Sequence, residues 1–245
     1  MARNVKDADT FLSARAGKSE LDPLTNEIPF EKIPNYPLSC ATIDLKGIKI
    51  GVPTSLVGKL EPEEAKSFEV AVSVLEMLGA TVIHDVVLLA EERWRPTTSL
   101  QWMKLKRADF PASIAAYLKT LTTNPKGIRT LQDLIDRTKA DPNEDYPNHN
   151  VESFEIAANL DPASQEFKDL EATRDFVKGE GGLQAAMDRN QLDLLVTPTC
   201  SDVPGSFASL EGTPIISIPL GFYGPDKAIK KDSKGDLITI GPGIP

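Results

Sequence analysis

The chain has 245 residues, of which 40% are hydrophobic and 26% are charged, and its formal net charge is −9. This length and composition suit one large or two small globular domains, and the negative charge without a basic run disfavours a nucleic-acid partner. No apolar stretch reaches the roughly 18 residues that a transmembrane helix needs, and the N-terminus lacks the pattern of a secretory signal. We therefore expect no membrane span and a cytoplasmic protein.

An amphipathic helix is predicted at the start of the chain, because Val5, Ala8, Phe11 and Leu12 recur at helical spacing. Residues 16–40 then contain four prolines, so they are predicted to be irregular. A structureless segment of this length is uncommon inside a compact domain, which suggests that it lies over a surface supplied from elsewhere.

The clearest local pattern is a strand, a helix and a second strand. Residues 45–53 alternate in hydrophobicity and stop at a proline, which predicts a strand. A helix should follow from Pro62, preceded and followed by glutamates, to a C-cap at Gly79. Residues 80–88 form the second predicted strand. Such a unit is predicted to be a right-handed crossover between parallel strands.

The remaining pattern is mostly helical and ends in apolar strands. A long helix is predicted with a kink at Pro111, then a shorter helix, a turn-rich loop and a helical region broken by the Gly-Glu-Gly-Gly sequence. Two buried strands and one short strand complete the chain, so the predicted fold class is α/β, with a mixed sheet covered by helices. These elements span residues 97–121, 129–140, 140–150, 163–190 with the break at 179–182, 192–196, 214–220 and 232–241.

Few residues carry an obvious catalytic pattern. His84 falls within a predicted strand and His149 in a polar loop, so neither is expected to act in a Ser-His-Asp triad. Ser206 and Ser209 are weak nucleophile candidates, since their glycines flank the serines without surrounding them; they are interpreted as turn residues leading into a strand. Cys40 and Cys200 are expected to be buried or partly buried free thiols, and no metal site or cofactor is predicted.

The order of several segments resembles the amidase signature family, whose members hydrolyse or transfer from carboxamides. No single segment is decisive, but all of them occur in the family's order over nearly the whole chain. They are MARNVKDADTFL (1–12), LKGIKIGVP (45–53), TVIHDVVL (81–88), RTLQDLIDR (129–137), LDLLVTPT (192–199), GTPIISIPLGF (212–222) and KGDLITIGPGIP (234–245).

The resemblance implies that residues 1–245 are a partial amidase domain. The family's catalytic lysine and two serines lie in a Ser/Gly-rich segment upstream of the position that matches Met1, and this sequence contains no Ser-Ser pair. The family also continues beyond the GPGIP sequence. The resemblance therefore implies no catalytic residue here, an incomplete fold with exposed apolar strands, and poor stability of the chain alone.

Two hypotheses remain open at this point. In the first, the chain contributes a pocket wall to an amidase that acts on a small amide, with Thr213, Ile215 and Ile216 lining the acyl pocket; Thr197 and Thr199 are weaker candidates. The alternative role for each of them is an ordinary core or turn residue. In the second hypothesis, the chain is non-catalytic, either a truncated homologue or a half that completes a second polypeptide carrying the N-terminal segment.

Overall fold

A computed structural model describes residues 4–40, 44–57, 60–97, 99–198, 203–224, 226–228, 231–233, 235 and 243–244. No helix within these ranges is long and apolar enough to cross a membrane. Met1–Arg3, Thr199, Cys200 and most of the predicted strand at 232–241 lie outside the described residues.

Helices make up most of the described structure. The helices are α1 (Val5–Arg15), α2 (Tyr36–Ser39), α3 (Thr54–Val57), α4 (Pro62–Met77), α5 (Glu91–Trp94), α6 (Ser99–Arg107), α7 (Phe110–Thr120), α8 (Leu131–Ala140), α9 (Glu152–Ala158), α10 (Gln165–Lys178), α11 (Leu183–Asn190) and α12 (Val203–Glu211), with 3-10 turns at Pro23–Glu27 and Pro142–Glu144. The strands are β1 (Lys49–Gly51), β2 (Thr81–Ile83), β3 (Leu194–Leu195), β4 (Gly221–Phe222) and β5 (Gly243–Ile244).

A parallel sheet with strand order β2-β1-β3 lies at the centre of the fold. Ile50 of β1 is in register with Val82 of β2 and with Leu194 of β3. The predicted strand–helix–strand unit with parallel strands is therefore confirmed, and it corresponds to β1, α4 and β2. A separate antiparallel pair joins β4 to β5.

Helix α4 covers one face of this sheet. It begins with Pro62 in its first turn and a capping box between Glu61 and Glu64, and a glycine with φ of +99° at position 79 follows its C-terminus. Its buried side chains Phe68 and Val72 form a cluster with Val52, just beyond β1, and with partly buried neighbours that include Val82 of β2 and Val196 just beyond β3. The predicted helix and its C-terminal glycine are confirmed.

The main core fills the other face. Two tryptophans, Trp94 and Trp102, stack with ring centroids 3.6 Å apart, and Phe207 of α12 meets Trp94 edge-on at 5.2 Å. Helices α6, α10 and α12 contribute further apolar side chains, as do the residues between β2 and α5. A smaller cluster around Leu131 and Ile135 holds α8 against α9. The fold is thus a small sheet enclosed by helices, in agreement with the predicted class.

Several predicted elements need correction. The single helix at 97–121 is wrong: α6 ends at Arg107, and α7 begins at Phe110 with Pro111 in its first turn, where a missing N–H breaks no helical hydrogen bond. Helix α9 was not predicted. The predicted break at 179–182 is confirmed, because it separates α10 from α11.

The C-terminal part departs furthest from the predictions. The interpretation of Ser206 and Ser209 as turn residues is wrong, since both lie within α12. The predicted buried strand at 214–220 is also wrong: these residues form no strand, and Ile215, Ile216 and Ile218 are exposed. The predicted strand at 192–196 is shortened to β3, Leu194–Leu195, although the N–H groups of Asp193 and Val196 also donate to carbonyls of β1, and Leu194 is partly exposed.

The N-terminal part is only loosely packed. Helix α1 is confirmed, but none of its residues is buried, and Phe11 and Leu12 of the predicted apolar stripe are exposed. Cys40 is exposed, which corrects the expectation of a buried thiol. Its thiol donates a hydrogen bond to Asp9, and this bond raises the pKa of Cys40.

Candidate functional site

The strand order defines one edge of the parallel sheet as the candidate site. The chain crosses from β1 to β2 on one side and then returns to β3 on the other, so the strand order reverses between β1 and β3. In parallel α/β sheets, ligands bind outside the carboxyl ends of the strands at such a switch point. The residues that follow β1 and β3, Val52–Thr54 and Val196–Pro198, meet there.

Backbone hydrogen bonds hold these loops together. The N–H of Val196 donates to the carbonyl of Gly51 at 2.9 Å, and the N–H of Val86 donates to the carbonyl of Val52 at 3.2 Å. The Thr54 hydroxyl oxygen accepts from the N–H of Asp85 at 3.1 Å, and Asp85 has a left-handed backbone with φ of 60°. Thr197 is half-buried and lies two residues beyond the end of β3, and its role in binding stays a prediction.

A buried carboxylate, which sequence reasoning missed, lies next to this edge. Glu91, 4% exposed, accepts a hydrogen bond from the Ser55 hydroxyl at 2.6 Å and pairs with Arg95 at 3.1 Å. The Glu91–Arg95 spacing of four residues is visible in the sequence, but the contact to Ser55 across 36 positions is not. The carboxylate serves to fix α3 against α5, because the guanidinium holds its second oxygen.

The predicted binding residues begin where α12 ends. The N–H groups of Gly212 and Thr213 both donate to the carbonyl of Ala208, at 2.9 and 3.0 Å, which closes the helix. The hydroxyl oxygen of Thr213 is buried and has no hydrogen-bond partner among the described residues. Ile215 and Ile216 are 60% and 58% exposed. Whether these three side chains line one pocket stays a prediction.

The residues that follow α12 are anchored at their far end beside the carboxyl ends of the sheet strands. The Tyr223 hydroxyl donates to the carboxylate of Glu64 in the first turn of α4, and this hydrogen bond raises the pKa of Tyr223 to about 12. Lys227 lies 3.7 Å from Glu63 in the same turn. Because α4 begins after the carboxyl end of β1, residues 214–222 lead from α12 to the switch-point side of the sheet.

The other serine and histidine candidates do not form a catalytic group. His84 is exposed just beyond β2, and His149 is exposed with Asp145 3.6 Å away. Ser206 and Ser209 lie within α12, so neither sits on the glycine-rich turn that a serine nucleophile with an oxyanion site needs.

No three acidic, histidine or cysteine side chains in the described ranges form a group that could hold a metal ion. A surface cleft of about 340 Å³ lies elsewhere, between α6, α9 and α10. Its Lys104 donates to both carboxylate oxygens of Glu166 at 2.7 Å, and this pairing lowers the pKa of Glu166. Because the charges of Lys104 and Glu166 neutralise each other, this cleft is a weaker candidate for a ligand site than the edge of the parallel sheet.

Comparison with known proteins gives a consistent result. The model of a family described as Amidase matches residues 1–225. A protein of Arthroderma benhamiae named "Putative amidase" is 33% identical over an alignment of 251 positions, which covers all of this chain and 41% of that protein. One subunit of the glutamyl-tRNA(Gln) amidotransferase of Brevibacillus brevis is 39% identical over 82 residues, or 33% of this chain and 16% of the relative.

Solved structures show the same fold. The native peptide amidase from Stenotrophomonas maltophilia superimposes with a TM-score of 0.69 at 27% identity, covering 91% of this chain and 46% of that enzyme. An amidase family protein from Bacillus anthracis, at 22% identity, has a TM-score of 0.69 over 99% of this chain and 43% of the other. The chain therefore spans less than half the length of these proteins.

Proposed function

The chain belongs to the amidase family, and from that premise we propose that it forms the substrate-side wall of a unit that hydrolyses the C–N bond of a small carboxamide. The observation that supports this proposal is the Thr213 hydroxyl, which is buried without a partner among the described residues. An unpaired buried hydroxyl costs stability, and sites with such groups often use them on a ligand.

In this proposal the chain binds and orients the substrate but does not attack it. The serine nucleophile, the second serine and the lysine belong to the Ser/Gly-rich segment that the family resemblance places upstream, and the unit uses no metal or cofactor. The Thr213 hydroxyl would hydrogen-bond the substrate amide, and Ile215 would contact the acyl group. Adjacent residues of an extended chain point to opposite sides, so Ile216 would face a neighbouring segment.

The proposal also covers the extent and setting of the chain. Residues 1–245 are taken as one partial amidase domain that is incomplete as a catalyst, acting in the cytoplasm. The second candidate function is a non-catalytic one, as a truncated homologue or as a half that completes another polypeptide. This alternative is favoured by the sequence itself, which has no adjacent pair of serines and no Ser/Gly-rich stretch.

Amide hydrolysis by the purified 245-residue chain distinguishes the two candidates. The chain should release no ammonia or amine from a panel of small carboxamides. Hydrolysis should appear when the part of the Arthroderma benhamiae relative that this chain does not match is supplied as a second polypeptide. No activity in the mixture, despite a folded complex, would favour the non-catalytic role, and turnover by the chain alone would contradict the proposed division of labour.

A further inference from the structure

The last residue of α12, Glu211, binds the start of α11 with both oxygens of its carboxylate. Oε1 accepts the backbone N–H of Leu183 at 2.6 Å, and Oε2 accepts that of Gln184 at 3.2 Å. Both donors belong to the first turn of α11, whose N–H groups have no acceptor within the helix. Hydrogen bonds to a charged group are roughly twice as strong as neutral ones. Glu211 therefore ties the last turn of α12 to α11.

The start of α11 is itself held against the core. The N–H of Ala90, which is buried, donates to the carbonyl of Gly181 at 2.9 Å. A Cβ atom at position 182 would collide with Oε1 of Glu211, so the carboxylate lies directly against the backbone. Burial raises the pKa of Glu211 in spite of the two N–H donors, which indicates that water reaches the carboxylate only in part. The carboxylate is therefore confined to one place.

The position of Thr213 depends on this last turn of α12. The N–H groups of Gly212 and Thr213 donate to the carbonyl of Ala208, the last buried residue of α12. Beyond it the chain is exposed or half-buried, and Leu210 packs against the edge of the main core. The Thr213 hydroxyl has no partner among the described residues, so no hydrogen bond of its own fixes it there. Its place is set by the turn that Glu211 holds.

We propose that Glu211 is a positioning residue: by fixing the last turn of α12 on α11, its carboxylate sets the place of the Thr213 hydroxyl. The inference rests on the proposed function where it gives that hydroxyl a substrate, while the coupling of Glu211 to Thr213 can be measured without one. Glu211 acts through Thr213 and does not itself touch the substrate. Its effect on amide hydrolysis should therefore disappear when the Thr213 hydroxyl is removed.

Hydrogen exchange in the full chain, resolved by residue with NMR, tests the coupling. Glu211→Gln keeps the size of the side chain but removes its charge and replaces one acceptor oxygen by an NH2 group. Exchange at Gly212 and Thr213 should become about threefold faster or more, while the amide of Val52, bonded within the sheet region at 2.9 Å, keeps its rate. The matched control is Glu69→Gln at an exposed position on α4, which should change none of these rates.

A double-mutant cycle in the active mixture of the two polypeptides tests the role in hydrolysis. Glu211→Gln should lower kcat/KM for the amide about threefold or more in the parent chain. In the Thr213→Val background the same change should lower kcat/KM by less than about twofold, because the group that Glu211 positions is already gone. A purely structural role would lower kcat/KM by the same factor in both backgrounds.

Faster exchange at Gly212 and Thr213 with an unchanged Val52 supports the inference, as does the loss of the Glu211→Gln effect in the Thr213→Val background. Unchanged exchange at Gly212 and Thr213, equal acceleration at Val52, or equal losses of kcat/KM in both backgrounds would each overturn it. If the parent mixture hydrolyses no amide, the proposed function fails, and the exchange at Gly212 and Thr213 still decides the inference.

Discussion

The carboxylate of Glu211 accepts the backbone N–H of Leu183 at 2.6 Å and so joins the end of α12 to the start of α11. A second bond, from the N–H of Gln184 at 3.2 Å, uses the other oxygen. The first turn of a helix attracts anions because its N–H groups are free. Here a carboxylate of the protein itself occupies that place, which explains the glycine-rich break before α11.

Gly182 should not tolerate a side chain, because it lies directly under this carboxylate. A Cβ atom at position 182 would be 1.6 Å from Oε1 of Glu211 and 2.0 Å from the carbonyl oxygen of Val177. We expect Gly182→Ala to lower the free energy of unfolding by about 1–3 kcal/mol, measured by urea denaturation. Gly205→Ala is the control, since a Cβ there meets nothing within 4 Å and alanine favours the helix. Equal stability of both variants would contradict the tight packing.

The comparison of sequence and structure shows where local patterns suffice. The helix from Pro62 and the flanking strands carry their own caps and periodicity, so they were predicted correctly. Residues 179–182 were recognised as a break, but the contact of Glu211 with Leu183 spans 28 positions and leaves no local signal. The contact between Ser55 and Glu91 beside the candidate site spans 36 positions and likewise leaves no local signal.

The strand predicted for residues 214–220, after α12, was wrong for a different reason. Its apolar residues match a buried strand in composition, and burial depends on a neighbour that pairs with it. The described part of the chain supplies none for residues 214–220, so the pattern predicted a strand that is not formed. The role of Thr213 in binding stays a prediction, and that its hydroxyl is buried without a partner among the described residues could be seen only in three dimensions.

The stacked tryptophans should dominate the stability of the main core. Trp94 is buried against both Trp102 and Phe207. We expect Trp94→Ala to lower the free energy of unfolding by about 3–5 kcal/mol, because it leaves a large cavity. Trp102→Phe keeps a ring in place and removes an indole N–H that has no partner among the described residues, so its cost should be clearly smaller.

Near-ultraviolet circular dichroism provides a second readout for this pair. The chain contains two tryptophans, so any exciton signal between indoles comes from this stack. The signal should disappear in Trp102→Phe even if the protein remains folded. An unchanged spectrum in that variant would show that the rings are not stacked in solution.

Asp141 should make stability depend on acid pH. The N–H of Asn143 donates to its carboxylate and Lys126 lies 3.1 Å away, and these contacts lower the pKa of Asp141 from 3.8 to about 2; Arg137 also lies 3.2 Å from this carboxylate. A lowered pKa means that the folded state favours the charged form. The stabilisation is therefore present above pH 3.8 and is lost as the pH falls through about 2.

The variant Asp141→Asn measures this contribution. It should be less stable than the parent chain at pH 7, and the difference should shrink as the pH approaches 2. Asp169→Asn removes the same charge from an exposed position on α10, where the carboxylate accepts a hydrogen bond from Gln165, and serves as the control for net charge. A difference for Asp141→Asn that does not change with pH would contradict the assigned contacts.

The exposed apolar residues that follow α12 should make the isolated chain unstable and prone to associate. Ile215, Ile216, Ile218 and Phe222 are all more than half exposed, and β3 has one unpaired edge in the described structure. We expect a broad thermal transition by calorimetry and oligomers by light scattering. Ile218→Lys/Phe222→Lys should reduce the association, while a sharp transition of a monomeric parent chain would contradict this expectation.

Thr213→Val separates a structural from a binding role of the hydroxyl. In the isolated chain, the hydroxyl has no partner among the described residues, so a methyl group of the same shape should leave the free energy of unfolding unchanged or raise it by up to about 1 kcal/mol. In the active mixture of the two polypeptides, the same change should lower kcat/KM for the amide about tenfold, because one hydrogen bond to the substrate is lost. Thr213→Ser keeps the hydroxyl and should retain most of the activity. Destabilisation of the isolated chain by Thr213→Val would show that the hydroxyl supports the fold, and the proposed contact with the substrate would then lose its basis.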